Sequence, residues 1–110
     1  MTIQLDTKIV NAKREPIRGE GGQDLTVREC LTLLLTYYPA PRKDMFSQLS
    51  AGMKIGDEAV REIELSKKEL ETVKKAIEAN KVDTDKGQKP IYGSWILGQV
   101  RQAIGDLEDE

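Results

Sequence analysis

The chain has 110 residues and no histidine, which removes the commonest general base and the commonest transition-metal ligand together. It has one cysteine, Cys30, so an intramolecular disulfide is excluded and a reducing compartment is expected. No long apolar run is present. The longest of note, Leu33-Leu34-Leu35, falls far short of a membrane span. The first residues, Met1 to Asp6, offer neither a basic region nor an apolar core for secretion, so no signal peptide is expected. Excess charge of one sign is missing too. With 17 basic and 19 acidic residues the net charge is −2, which gives no overall attraction for a phosphate backbone.

What remains is 38% apolar and 33% charged, enough aliphatic content for one small domain with a modest core. Ile3, Leu5, Thr7 and Ile9 alternate with Gln4, Asp6, Lys8 and Val10, the period of a half-buried strand. Residues 11–24 contain Pro16, Gly19, Gly21 and Gly22 and are expected to form a flexible glycine-rich loop, with a short strand around Ile17 making a hairpin. Thr26 and Glu29 have capping-box spacing and open a helix whose face carries Val27, Cys30, Leu31, Leu34 and Tyr38. Pro39 and Pro41 close it. A weaker helix follows from Arg42 to Lys54, with Met45, Phe46, Leu49 and Met53 as its apolar side.

Ile63 and Leu65 suggest a second short strand that pairs with the N-terminal one. Ser66 and Glu69 repeat the capping spacing and start a helix from Lys67 to about Asn80, with Leu70, Val73, Ala76 and Ile77 inward. Residues 81–89 read as a polar loop. Pro90 suits the first turn of a last helix over Ile91 to Leu107, and residues 106–110 form an acidic tail. The fold class expected is α+β: three to four helices packed on a small antiparallel sheet or hairpin.

Several segments imitate chemical motifs and fail on detail. Asp83-x-Asp85-x-Gly87 begins like a calcium loop, but Gln88 and Ser94 stand where glycine and a carboxylate are required. Arg18 to Gly22 is glycine-rich without the Lys-Ser/Thr of a phosphate-binding loop. Cys30 has no histidine to activate it and sits among leucines. Glu62 and Glu64 share a strand face without any sign of a cleft. No catalytic residue, metal ligand or cofactor is therefore assigned, and a non-enzyme is expected.

The aromatic residues are more suggestive. Tyr92 and Trp95 lie in a segment with Gly93 and Gly98, where a helical glycine calls for compensation such as the close approach of another backbone. Trp95 and Tyr92, joined by Tyr37, Tyr38 and Phe46, are candidate anchors for a protein partner or for self-association. The competing reading packs them inside, against the first long helix. A second candidate surface is basic: Arg42, Lys43, Lys67 and Lys68, with Lys54, would serve nucleic-acid binding, although acids are interleaved with them.

Ile3 to Thr7, Asp24 to Glu29, Glu62 to Ser66 and Gly98 to Val100 occur in an order that resembles small proteins of tailed bacteriophages and prophages. The resemblance implies an intracellular accessory protein of a bacterial host cell and assigns no residue a role. The expected function is a non-enzymatic protein-interaction module that binds a host or phage protein, or itself. A nucleic-acid-binding regulator and a virion or tail-assembly component are the alternatives.

Overall fold

The computed structural model describes residues 2–19 and 21–105, so the expected acidic tail lies outside the described residues. Strand β1, Thr2–Gln4, pairs antiparallel with β2, Glu62–Glu64, with Ile3 opposite Ile63 and Gln4 opposite Glu62. Alternation explains the pairing: Ile3 and Ile63 point into the core while their neighbours face water. The Gln4 amide also donates to the Glu62 carboxylate at 2.7 Å.

The strand period continues past Gln4 without a continuous ladder. Leu5 and Ile9 are buried, and the chain folds back on itself twice. Ile17 donates its N–H to the Ile9 carbonyl at 2.9 Å and accepts from Leu25 at 2.7 Å, so the expected hairpin forms through isolated bridges and not as a regular strand. The bridges Val10 to Pro16 and Arg18 to Asp24 frame the glycine-rich region. Gly22, at φ 81°, makes the second reversal in a conformation open to glycine.

Helix α1, Val27–Tyr37, starts at Thr26, whose hydroxyl accepts from the Glu29 N–H at 3.3 Å. The Glu29 carboxylate turns toward Gly19 rather than back to the cap. Full reciprocal capping is formed instead at α3, Lys67–Ala79, between Ser66 and Glu69. A 3₁₀ turn, Arg42–Asp44, leads into α2, Met45–Gly56. The core runs from Ile3, Leu5 and Ile9 through Val27, Leu31 and Leu34 of α1 to Val73 and Ile77 of α3. Helix α1 packs against α2, α3 and the last helix, α4, Ser94–Ala103, and so lies at the centre of the fold.

Two expectations near the C-terminus are corrected. Residues 81–89, read as a polar loop, form a second antiparallel pair, β3 (Lys81–Thr84) and β4 (Gly87–Pro90). Its turn is Asp85–Lys86, followed by Gly87 at φ 106°. Every residue of β4 is exposed, so no apolar alternation marks the strand in the sequence. Pro90 ends β4 and does not open α4. Asn80 explains why the helix waits: in the left-handed conformation at φ 40°, it ends α3 and bonds both the N–H and the carbonyl of Tyr92. The backbone of Tyr92 is thereby held outside α4.

Gly98, expected to receive the close approach of another backbone, does not. A methyl group built on it would meet nothing within 4 Å, so no other backbone approaches it closely, and Gly93 lies outside the helix as its N-cap. Gly98→Ala is therefore expected to raise stability by about 0.5–1 kcal/mol. Urea unfolding would measure the gain, and a loss would show that α4 packs more tightly than its open flank implies.

Candidate protein-docking face

Helix α2 is the element whose orientation departs most from its sequence pattern. Its buried stripe is Ser47, Ala51 and Ile55, preceded by Asp44. The residues of its apolar side point outward: Met45 is 57% exposed, Phe46 83%, Leu49 60% and Met53 69%. Four-residue spacing runs through both sets, so periodicity alone cannot choose between the two faces.

Polar clamps on both sides set the rotation. Toward α3, Glu69 accepts from Lys54 Nζ at 2.8 Å and from Ser50 Oγ at 2.7 Å, while also accepting the Ser66 N–H of its own cap. Asp44, fully buried, accepts from Lys68 at 2.8 Å and from Lys75 at 3.1 Å. Toward α1, the Gln48 amide donates to the carbonyls of Leu35 and Tyr38, at 2.7 and 2.9 Å. At the far end the Arg28 guanidinium donates to the carbonyls of Ile55, Asp57 and Val60. Turning Met45 and Leu49 inward would break these bonds and leave buried polar groups without partners, which is unfavourable. Small Ser47 and Ala51 also let α2 lie close to its neighbours.

The charges in these clamps are perturbed accordingly. Burial opposes ionisation of Glu69, but hydrogen bonds from Lys54, Ser50 and Ser66 outweigh it and bring its carboxyl down to about 2. Hydrogen bonds from Lys68 and then Lys75 lower Asp44, and the bond to Asp44 in turn raises Lys75. Burial pushes the Cys30 thiol up to about 12 against an opposing contact with Tyr92, so it stays protonated at neutral pH.

Two grooves flank the exposed side of α1. One, of about 490 Å³, is walled by Thr32 and Thr36 of α1 and by Met45, Leu49, Gly52 and Met53 of α2. The other, of about 710 Å³, shares Thr32 and Thr36 and continues over Leu33 to Ile91, Tyr92 and Ile96. Leu33 and Tyr37 are also exposed on α1. The result is an apolar face reaching from α2 across α1 toward the start of α4.

The candidate anchors do not form one cluster. Phe46 and Tyr37 lie on the exposed sides of α2 and α1, and Tyr92 lines the neighbouring groove. Tyr38 ends α1, is partly buried against the core and gives its carbonyl to Gln48. Trp95 lines neither groove. It is half-exposed, and its indole N–H donates to the Val10 carbonyl at 2.7 Å beside Gln99, which bonds the same carbonyl and the Val10 N–H. Trp95 therefore ties α4 to the N-terminal segment. Of the basic candidates, Lys68 is engaged with Asp44, while Arg42, Lys43 and Lys67 are exposed.

Comparison with protein-family models gave no match, and comparisons with curated proteins and with solved structures likewise gave none. Among the described residues, no helix is long and apolar enough to cross a membrane, and no group of three or more acidic or thiol side chains is placed to hold a metal ion.

Met45, Leu49 and Met53 belong to this face but were not among the candidate anchors read from the sequence. The signal that distinguishes them is the second stripe, Ser47, Ala51 and Ile55, together with Gly52 and Gly56, which face open space on the same helix.

Proposed function

We propose that the protein is a non-enzymatic interaction module that docks a protein partner on the outward face of α2 and the adjoining flank of α1. The outward placement of Met45, Phe46, Leu49 and Met53 carries this reading. Covering such side chains yields about 25 cal/mol per Å² of apolar surface, so a face of this kind favours association. Methionine adapts its shape to a partner and phenylalanine supplies a central anchor, both common at docking surfaces. The resemblance to small phage proteins agrees with an accessory role of this kind in the cytoplasm of a bacterial host. The basic alternative is weaker, because Lys68 and Lys75 serve Asp44 and Lys54 serves Glu69.

The test is affinity capture from a bacterial lysate with three baits, each shown to be folded by circular dichroism: the natural chain, Phe46→Asp with Leu49→Asp, and Trp95→Ala. Partners held by the natural chain and by the Trp95 variant, but lost from the Phe46/Leu49 variant, are the expected result. Partners lost only with Trp95 would move the docking site to α4. Salt-sensitive DNA binding that disappears with Arg42→Ala and Lys43→Ala would favour the nucleic-acid reading instead.

A further inference from the structure

We infer that the occupant of this face is a second copy of the chain, with α2 packed antiparallel on α2 about a two-fold axis. The inference rests on the docking role proposed above and names its partner.

Charge complementarity selects this occupant and its direction. Exposed Arg42 and Lys43 lie just before α2, and exposed Asp57 and Glu58 lie just after it. None of the four makes an ion pair within the chain among the described residues. Two copies of α2 running antiparallel bring the basic end of each against the acidic end of the other. A parallel pair would oppose like charges at both ends. The helix dipoles also favour the antiparallel arrangement.

The shape of the helix is self-complementary in the same register. Met45, Leu49, Gly52 and Gly56 recur at the four- and three-residue steps of one helical face. An axis through the midpoint of α2, between Ser50 and Ala51, sets Leu49 against Gly52 of the second copy and Met45 against its Gly56. Lys43 then opposes Glu58. Each large side chain meets a glycine where a methyl group would touch nothing within 4 Å of its own chain. Phe46 and Met53 flank this seam. An isologous contact of this kind repeats every favourable pair twice, which is the symmetry typical of closed dimers.

The experiment is sedimentation equilibrium of the full chain from low micromolar to near-millimolar concentration. It compares the natural protein with Leu49→Asp, Lys43→Glu, Glu58→Lys and the Lys43→Glu/Glu58→Lys double variant. A dimer is expected for the natural chain, with loss of dimer in Leu49→Asp. Each single charge reversal should weaken dimerisation about tenfold, because two symmetric pairs are lost at once, and the double variant should recover it. Circular dichroism confirms that each exposed substitution leaves the fold intact. A chain that stays monomeric overturns the inference, as does a dimer indifferent to Leu49→Asp and to the charge swap. A monomer that still captures another protein through Phe46 and Leu49 overturns self-association alone and leaves the docking role standing.

Discussion

Ile55→Ala is expected to destabilise the fold by about 2–4 kcal/mol, while Met53→Ala, two residues earlier, should change it by less than about 0.5 kcal/mol. Ile55 is fully buried in the main core, and truncating it removes apolar contacts and leaves a void between packed helices. Met53 is exposed, so its side chain returns to solvent it already meets. A hydrophobicity pattern read without the neighbouring helices predicts the opposite order. Urea unfolding followed by circular dichroism, at concentrations low enough to suppress association, separates the two orders. If Met53→Ala were the more damaging change, α2 would be rotated and its apolar stripe would belong to the core.

Glu69→Ala is expected to be of similar size, about 3 kcal/mol. It removes the carboxylate half of a capping box and leaves Ser50 and Lys54 without their acceptor, contributions of about 1 kcal/mol and 1–2 kcal/mol respectively. It also loosens the attachment of α2 to α3, because Glu69 is the point where Ser50, Lys54 and Ser66 converge. The same carboxylate makes the fold acid-sensitive. Its folded value of about 2 lies below the ordinary 4.5, so its contribution is complete above about pH 4.5 and declines as pH falls toward 2. Asp44, lowered by Lys68 and Lys75, adds a loss of the same sign as pH falls below its ordinary 3.8. Lys75 acts at the other extreme: raised by Asp44, it contributes below its ordinary 10.5 and loses that contribution as pH rises beyond it. Stability measured against pH should therefore fall on the acid side, and Glu69→Gln should flatten that fall between about pH 4.5 and 2. An unchanged acid limb in Glu69→Gln would mean that the carboxylate is not held in the ionised state by these partners.

Local order carried by local residues was legible in advance. The starts of α1 and α3 followed from Thr26 and Ser66, and the pairing of β1 with β2, though long-range, was expected from Ile3 and Ile63 on alternating segments. The hairpin strand at Ile17 was expected from its place among turn residues. The β3–β4 pair was missed because Gln88, Lys89 and their neighbours expose both faces, leaving no apolar period to detect. The start of α4 was placed too early because Pro90 suits a helix start, while the bonds from Asn80 that hold Tyr92 come from ten or more residues away. The candidate aromatic cluster came apart for the same reason: Trp95 bonds the Val10 carbonyl across 85 positions of sequence, a contact that no local pattern announces.

The sequence by itself determined the α+β class, the buried stripes of α1 and α3 and the caps that start them, because each stripe and cap depends on residues within one or two turns of one another. Only the tertiary structure decided which side of α2 faces water. That helix carries two competing stripes, and the choice fell to clamps from Glu69, Gln48 and Arg28, two of them on other helices. Leaving a charge or an amide unpaired in the interior is more unfavourable than leaving a methionine or a leucine in solvent. The exposed apolar face is the consequence: polar partners fixed the helix, and its largest apolar side chains were left outside.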